Sequence, residues 1–130
     1  MTLGLDTSVV VRLLMGVPEA HTRAARRRLE RATEAGETVL VSDLVLTEAY
    51  HALQHHYGVP KGEARSLLRR LVESRAIQLE PPAADAALAA VGGAGLVDRL
   101  IHLRYRSVGA VTVTFERRQG RLEGAIRLRC

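Results

Sequence analysis

The chain has 130 residues, 47% of them hydrophobic, and 19 Lys+Arg against 14 Asp+Glu give it a net charge of +5. This length suits one domain with a real core, read here as a single domain over residues 1–130. No apolar run approaches the roughly 20 residues of a membrane span, MTLGLD opens without a basic-then-apolar leader, and the lone Cys130 excludes an internal disulfide, so a soluble cytoplasmic protein is expected.

Every basic residue except Lys61 is an arginine. The guanidinium fork matches phosphate oxygens, and a basic chain is drawn to polyanions. Arginine-rich composition also follows from a GC-rich genome, so charge leaves both readings open. The aromatics, Tyr50, Tyr57, Tyr105 and Phe115, are too few for a base-stacking platform.

In chain order, Leu3–Asp6 reads as a short apolar strand ending on an acid, and Ser8–Met15 as a first helix. Pro18 suits the first turn of a second helix, which runs through Arg23–Arg31 and stops near Gly36. Ala25, Leu29 and Ala32 are spaced to face a core. Thr38–Val41 is a β-branched run and a buried strand. Ser42 caps the next helix, with Asp43 in its first turn and Gly58 beyond its end near Tyr57. Lys61–Ser74 is amphipathic, with Leu67, Leu68, Leu71 and Val72 inward. Ala76–Leu79 reads as a strand closed by Pro81-Pro82, and an alanine-rich helix follows to Val91. Leu96–Ser107 is a helix, Ala110–Phe115 the clearest strand, and Ala125–Leu128 a short last strand. Strands separated by helices predict an α/β domain with a mostly parallel sheet. In such sheets ligands bind beyond the carboxyl ends of the strands.

Four acids fit that edge. Asp6 and Glu116 follow strands, and Asp98 lies in the first turn of its helix. Glu48 falls between Leu44 and Ala52 on the apolar arc of its helix, where a carboxylate needs a partner. Four carboxylates in one cleft repel one another unless a cation is present. Hard oxygen donors suit Mg²⁺ or Mn²⁺, which can activate water and stabilise charge on a phosphate. Each acid also has a plain alternative: Asp6 as a helix cap, Asp98 as a first-turn acid, Glu116 as a turn residue, Glu48 as an arginine's partner. The Arg23–Arg31 run reads as a solvated face or as a contact for RNA phosphate or an acidic partner. Glu48-x-x-His51 occurs once, whereas carboxylate di-iron sites need it twice. Gly92–Gly95 lacks the Lys-Ser/Thr of a phosphate loop.

Leu5-Asp6-Thr7-Ser8-Val9 resembles the opening motif of PIN domains. Ser42-Asp43-Leu44-Val45-Leu46-Thr47-Glu48 looks like their second motif, Asp98-Arg99-Leu100-Ile101 is similar to the third, and Thr114-Phe115-Glu116-Arg117 to the fourth. The length resembles the VapC toxins of toxin–antitoxin pairs. The resemblance implies a three-layer α/β/α fold around a five-stranded, mostly parallel sheet. It implies a Mg²⁺- or Mn²⁺-dependent endoribonuclease that cuts transfer or ribosomal RNA with metal-activated water, its metal held by Asp6, Glu48, Asp98 and Glu116. It also implies a homodimer and a small antitoxin that blocks the site. Four positions depart from the pattern: Glu116 stands where the family usually has Asp, Gly95 where many relatives have an acid, and Arg99 and His102 where small residues are usual. An attenuated module that binds RNA or an antitoxin without efficient cleavage is the alternative reading.

Overall fold

The alternation of β-branched runs and helical periods becomes, in the computed structural model of residues Met1–Cys130, five short strands and six α-helices. Their contacts divide the chain into two units, Met1–Pro82 and Ala83–Cys130.

In the first unit, β1 (Thr2–Gly4), β2 (Thr38–Ser42) and β3 (Gln78–Glu80) form a parallel sheet in the order β1-β2-β3. Parallel neighbours need crossovers. Helices α1 (Thr7–Met15) and α2 (Glu19–Glu34) supply the first, α3 (Asp43–His55) and α4 (Lys61–Glu73) the second. The register pairs Gly4 with Leu40, and Leu40 and Ser42 with Gln78 and Glu80. All three strands therefore end at one edge. The central strand alternates as its β-branched sequence requires, with Val39 and Val41 buried. Ala32, Leu46, Leu53, Ala64 and Leu68 complete the core with no exposed surface. Burying each leucine is worth about 1.5–3 kcal/mol.

Apart from the alanine-rich segment expected to reach Val91, whose α-helix is confined to Asp85–Ala89, the helix limits lie within a residue or two of their sequence signals. Pro18 precedes α2 as its N-cap, with an extended backbone. Ser42 caps α3, its hydroxyl accepting from the Val45 N–H at 3.1 Å. Asp43, in the first turn, is buried. The arginine run on α2 is partly tied down: Arg23 pairs with Glu19 and Arg28 with Glu37.

Helix α3 corrects one expectation. Its buried face is Asp43, Leu46, Ala49, Tyr50 and Leu53. Glu48 lies about 200° around the helix from Leu46 and is exposed, while Leu44 is 71% exposed. Apolar residues occur on two sides of this helix, and packing chose the side opposite Glu48. Glu48 is thus a solvent-facing acid and not a buried one.

A 3-10 turn at Pro82–Ala84 opens the second unit, in which α5 (Asp85–Ala89) packs on α6 (Leu96–Ser107). Ala87, Leu88, Ala94, Leu96 and Leu100 are buried. Strands β4 (Val113–Thr114) and β5 (Ile126–Arg127) pair in parallel.

The five-stranded sheet expected from the sequence is not formed: the strands make one sheet of three and another of two. The run Ala110–Phe115 contributes only two residues to a ladder. Its alternation is also inverted, with Thr112 and Thr114 buried and Val111, Val113 and Phe115 exposed. The physical reason lies in the threonine hydroxyls. Thr112 meets His102 Nδ1 at 2.8 Å, and Thr114 donates to Gln119 Oε1 at 2.9 Å. These polar anchors turn the threonine side of the strand inward. Strand β1 lies at the edge of the three-stranded sheet.

Candidate active site

Each unit carries two of the four acids. In the first, Leu5 N–H extends the ladder by donating to Leu40 O at 2.9 Å. The constant offset between β1 and β2 then brings Asp6 level with Ser42, where α3 begins. Asp6 is the N-cap residue of α1, yet its carboxylate makes no capping hydrogen bond. Its one polar contact is a long 3.4 Å bond from the Ser8 hydroxyl. Asp6 thus holds the N-cap position of the plain reading, but without a side-chain bond to the helix. Glu48 projects from α3, which packs against α1.

Thr7, which follows Asp6, supplies a signal absent from sequence reasoning. Its hydroxyl is buried and has no hydrogen-bond partner. Buried polar groups are nearly always satisfied, and an orphan asks for a water or an ion. Glu80 closes β3 in register with Ser42 and is exposed at the same strand edge. It, too, drew no notice in the sequence.

In the second unit, Asp98 is the third residue of α6, and Gly95 is the N-cap. The Arg99 side chain folds back onto the preceding loop. Its Nε donates to Ala94 O at 2.9 Å and its Nη2 to Gly92 O at 2.8 Å. Arg99 thus ties the Gly92–Gly95 loop instead of neutralising a carboxylate. A side chain at Gly93 would meet that guanidinium at 3.2 Å, and its φ of +66° also favours glycine.

His102 is buried, with Nε2 2.8 Å from Glu123 O. A carbonyl only accepts, so Nε2 donates to it, while Nδ1 shares a hydrogen bond with the Thr112 hydroxyl. The ring is a structural clamp between α6, the residue before β4 and the segment before β5.

Glu116 follows β4 by one residue and is exposed. Its backbone N–H donates to Thr114 Oγ1 at 3.0 Å, and its carbonyl accepts from Gly120 N at 2.9 Å. Gln119, buried at 7% exposure, accepts from Thr114 and donates to Asp98 O at 3.2 Å. Asp98 and Glu116 are therefore connected through one hydrogen-bond chain.

None of Asp6, Glu48, Asp98 and Glu116 forms an ion pair, although the chain is rich in arginine. The reading of Glu48 as an arginine's partner is not realised. In neither unit do three His, Cys, Asp or Glu side chains gather as a ligand set. The donors are all hard oxygens, the type that Mg²⁺ and Mn²⁺ prefer. With the orphaned Thr7 hydroxyl beside Asp6, they fit a hydrated divalent ion better than a soft one. Arg117, Arg118, Arg121, Arg127 and Arg129 are exposed around Glu116 in the sequence, and none is in an ion pair.

No curated protein and no solved structure matches the chain. The PIN-domain family model matches residues 4–124, a span that includes all four acids. The chain therefore belongs to the PIN-domain family, a superfamily of nucleases.

Proposed function

We propose that the protein is a metal-dependent endoribonuclease in which residues 1–130 act as a single PIN-like domain, with Asp6, Glu48, Asp98 and Glu116 as its active-site acids. The observation that carries this reading is that four family-motif acids stay free of arginine in an arginine-rich chain. Uncompensated carboxylates at the carboxyl ends of parallel strands or in a helix's first turn suit a divalent cation. Asp6, Glu48 and Asp98 would hold the ion, with Glu116 assisting. When bound, such an ion lowers the pKa of a coordinated water and offsets charge on a phosphate.

The chain's own residues have separable tasks. Asp6 and Glu48 come from elements leaving the carboxyl ends of β1 and β2. Asp98 and Glu116 are held by the Thr114–Gln119 chain. The unpaired arginines from Arg117 to Arg129 suit the phosphates of an RNA strand, each as a point of salt-sensitive attraction. The toxin role, a transfer or ribosomal RNA target, an antitoxin partner, a homodimer and a cytoplasmic site complete the proposal. They rest on the resemblance of the motifs and length to VapC proteins.

RNA cleavage with and without Mg²⁺ or Mn²⁺ tests the reading. Cleavage should require the metal and fall at least about 100-fold in Asp6→Asn and in Glu48→Gln, as loss of preorganised electrostatic stabilisation costs that much elsewhere. Metal-independent cleavage, or activity unchanged from wild type in both variants, would sink it. A second reading, an attenuated binding module, is favoured by Glu116 and Gly95 standing where the family usually has Asp and many relatives an acid. Under that reading Glu116→Asp raises cleavage sharply while RNA affinity stays constant.

A further inference from the structure

We infer that Gln119 is a positioning residue that fixes Glu116 relative to Asp98 through the Thr114 hydroxyl. The inference rests on the nuclease reading for its catalytic meaning. Its geometry stands on four hydrogen-bonding groups whose roles are forced. The Asp98 carbonyl can only accept, so the Gln119 amide must turn Nε2 toward it, at 3.2 Å. That leaves Oε1 facing Thr114 as an acceptor at 2.9 Å. The Thr114 hydroxyl must then donate to Gln119. Its lone pairs are left to accept from the Glu116 N–H at 3.0 Å. Reversing any one bond would leave two acceptors or two donors facing each other.

Gln119 and Thr114 are 7% and 9% exposed, so water competes little for these bonds. The cost of burying a glutamine amide is offset only because both of its ends are used. A leucine would fill the same space without that requirement, so local packing alone does not explain a glutamine here. The residues joined are far apart in the chain, Asp98 in the first turn of α6 and Glu116 after a two-residue strand. A ladder of two residues is a weak anchor for a catalytic acid. The side-chain relay, with Gly120 N–H on the Glu116 carbonyl, supplies the missing rigidity. The Glu116 carboxylate itself remains exposed.

The test compares the full-length chain with Gln119→Leu, Thr114→Val, Thr114→Ser, the Gln119→Leu/Thr114→Val double variant, and Thr112→Val. The last removes the neighbouring His102 clamp and serves as a stability control. Gln119→Leu and Thr114→Val should each lower kcat for RNA cleavage about 10- to 100-fold with KM within about twofold, as for a sub-ångström to 1 Å misplacement. Thr114→Ser, which keeps the hydroxyl, should restore kcat. The double variant should be no worse than the poorer single one, since both break one relay. Thr112→Val should lower Tm but keep kcat. The Glu116 amide should exchange with solvent at least about tenfold faster in Gln119→Leu and Thr114→Val than in wild type.

If kcat follows Tm across all variants, Thr112→Val included, or if the two losses multiply, the positioning role is wrong. If wild type cleaves no RNA with either Mg²⁺ or Mn²⁺, the nuclease reading falls, and Glu116 exchange still decides the relay. Unchanged exchange in Gln119→Leu overturns it; faster exchange upholds it.

Discussion

Replacing Thr7 with valine removes one buried, unpartnered hydroxyl and keeps the side-chain shape. A buried polar group without a partner costs about 1–3 kcal/mol. In metal-free protein that cost should vanish in the variant, which becomes more stable than wild type. At ~2.1 cal/mol/K per residue, a chain of 130 residues has an unfolding entropy near 270 cal/mol/K, so Tm should rise by about 4–11 °C. Mg²⁺ or Mn²⁺ should narrow that lead. A ligand at ~100 times its Kd stabilises by about 2.7 kcal/mol, or about 10 °C for this chain. Under the proposed metal site the Thr7 hydroxyl would help hold a hydrated ion beside Asp6, so the variant should gain less. Differential scanning calorimetry in EDTA, then in saturating Mg²⁺, reads both effects. A variant no more stable than wild type in EDTA would mean that the hydroxyl already has a partner in solution. Equal metal-induced gains would refute its link to the ion.

Leu46→Ala should cost about 2–5 kcal/mol, because Leu46 has no exposed surface. Leu44→Ala, at a 71% exposed site, should stay within about 0.5 kcal/mol of wild type; chemical denaturation distinguishes them, and equal losses would restore Glu48 to a buried face. Burial raises the Tyr50 hydroxyl above its ordinary pKa of 10.0, against smaller opposing effects of Arg65 and Gln54. Because the folded value is the higher one, this contribution is intact below about pH 10 and is lost as pH rises through the folded pKa. Tyr50→Phe should therefore flatten the alkaline loss of stability, and an unchanged denaturation profile above pH 10 would contradict it. Arg99→Ala, which frees the carbonyls of Gly92 and Ala94, should cost roughly 1–2 kcal/mol for two partly exposed bonds. It should also speed proteolysis within the Gly92–Gly95 loop, and an unaltered digestion pattern would argue against the clamp.

Much of this protein is local chemistry, and that part was legible. Ser42 caps α3 because its hydroxyl reaches the Val45 N–H. Leu96–Ser107 is helical over the limits its pattern gave. The four motifs in order led to the PIN family, whose match spans residues 4–124. Periodicity, capping and motif spacing are written in neighbouring residues, so sequence alone could determine them.

Three features needed the tertiary structure. Helix α3 has apolar residues on two sides, and only packing against its neighbours decided that Glu48 faces solvent. The run Ala110–Phe115 has an apolar and a threonine face, and only the partners His102 and Gln119, 10 and 5 residues from the threonines they bind, turned the threonines inward. The ladder there has two residues, where a six-residue strand was expected. Gln119 itself looks like an ordinary loop residue until Asp98, 21 positions away, supplies the carbonyl for its amide. The sequence by itself determined which elements form and which acids they carry. Tertiary structure decided which faces are buried and what holds those acids, because hydrogen bonds and packing between distant residues leave no periodic mark.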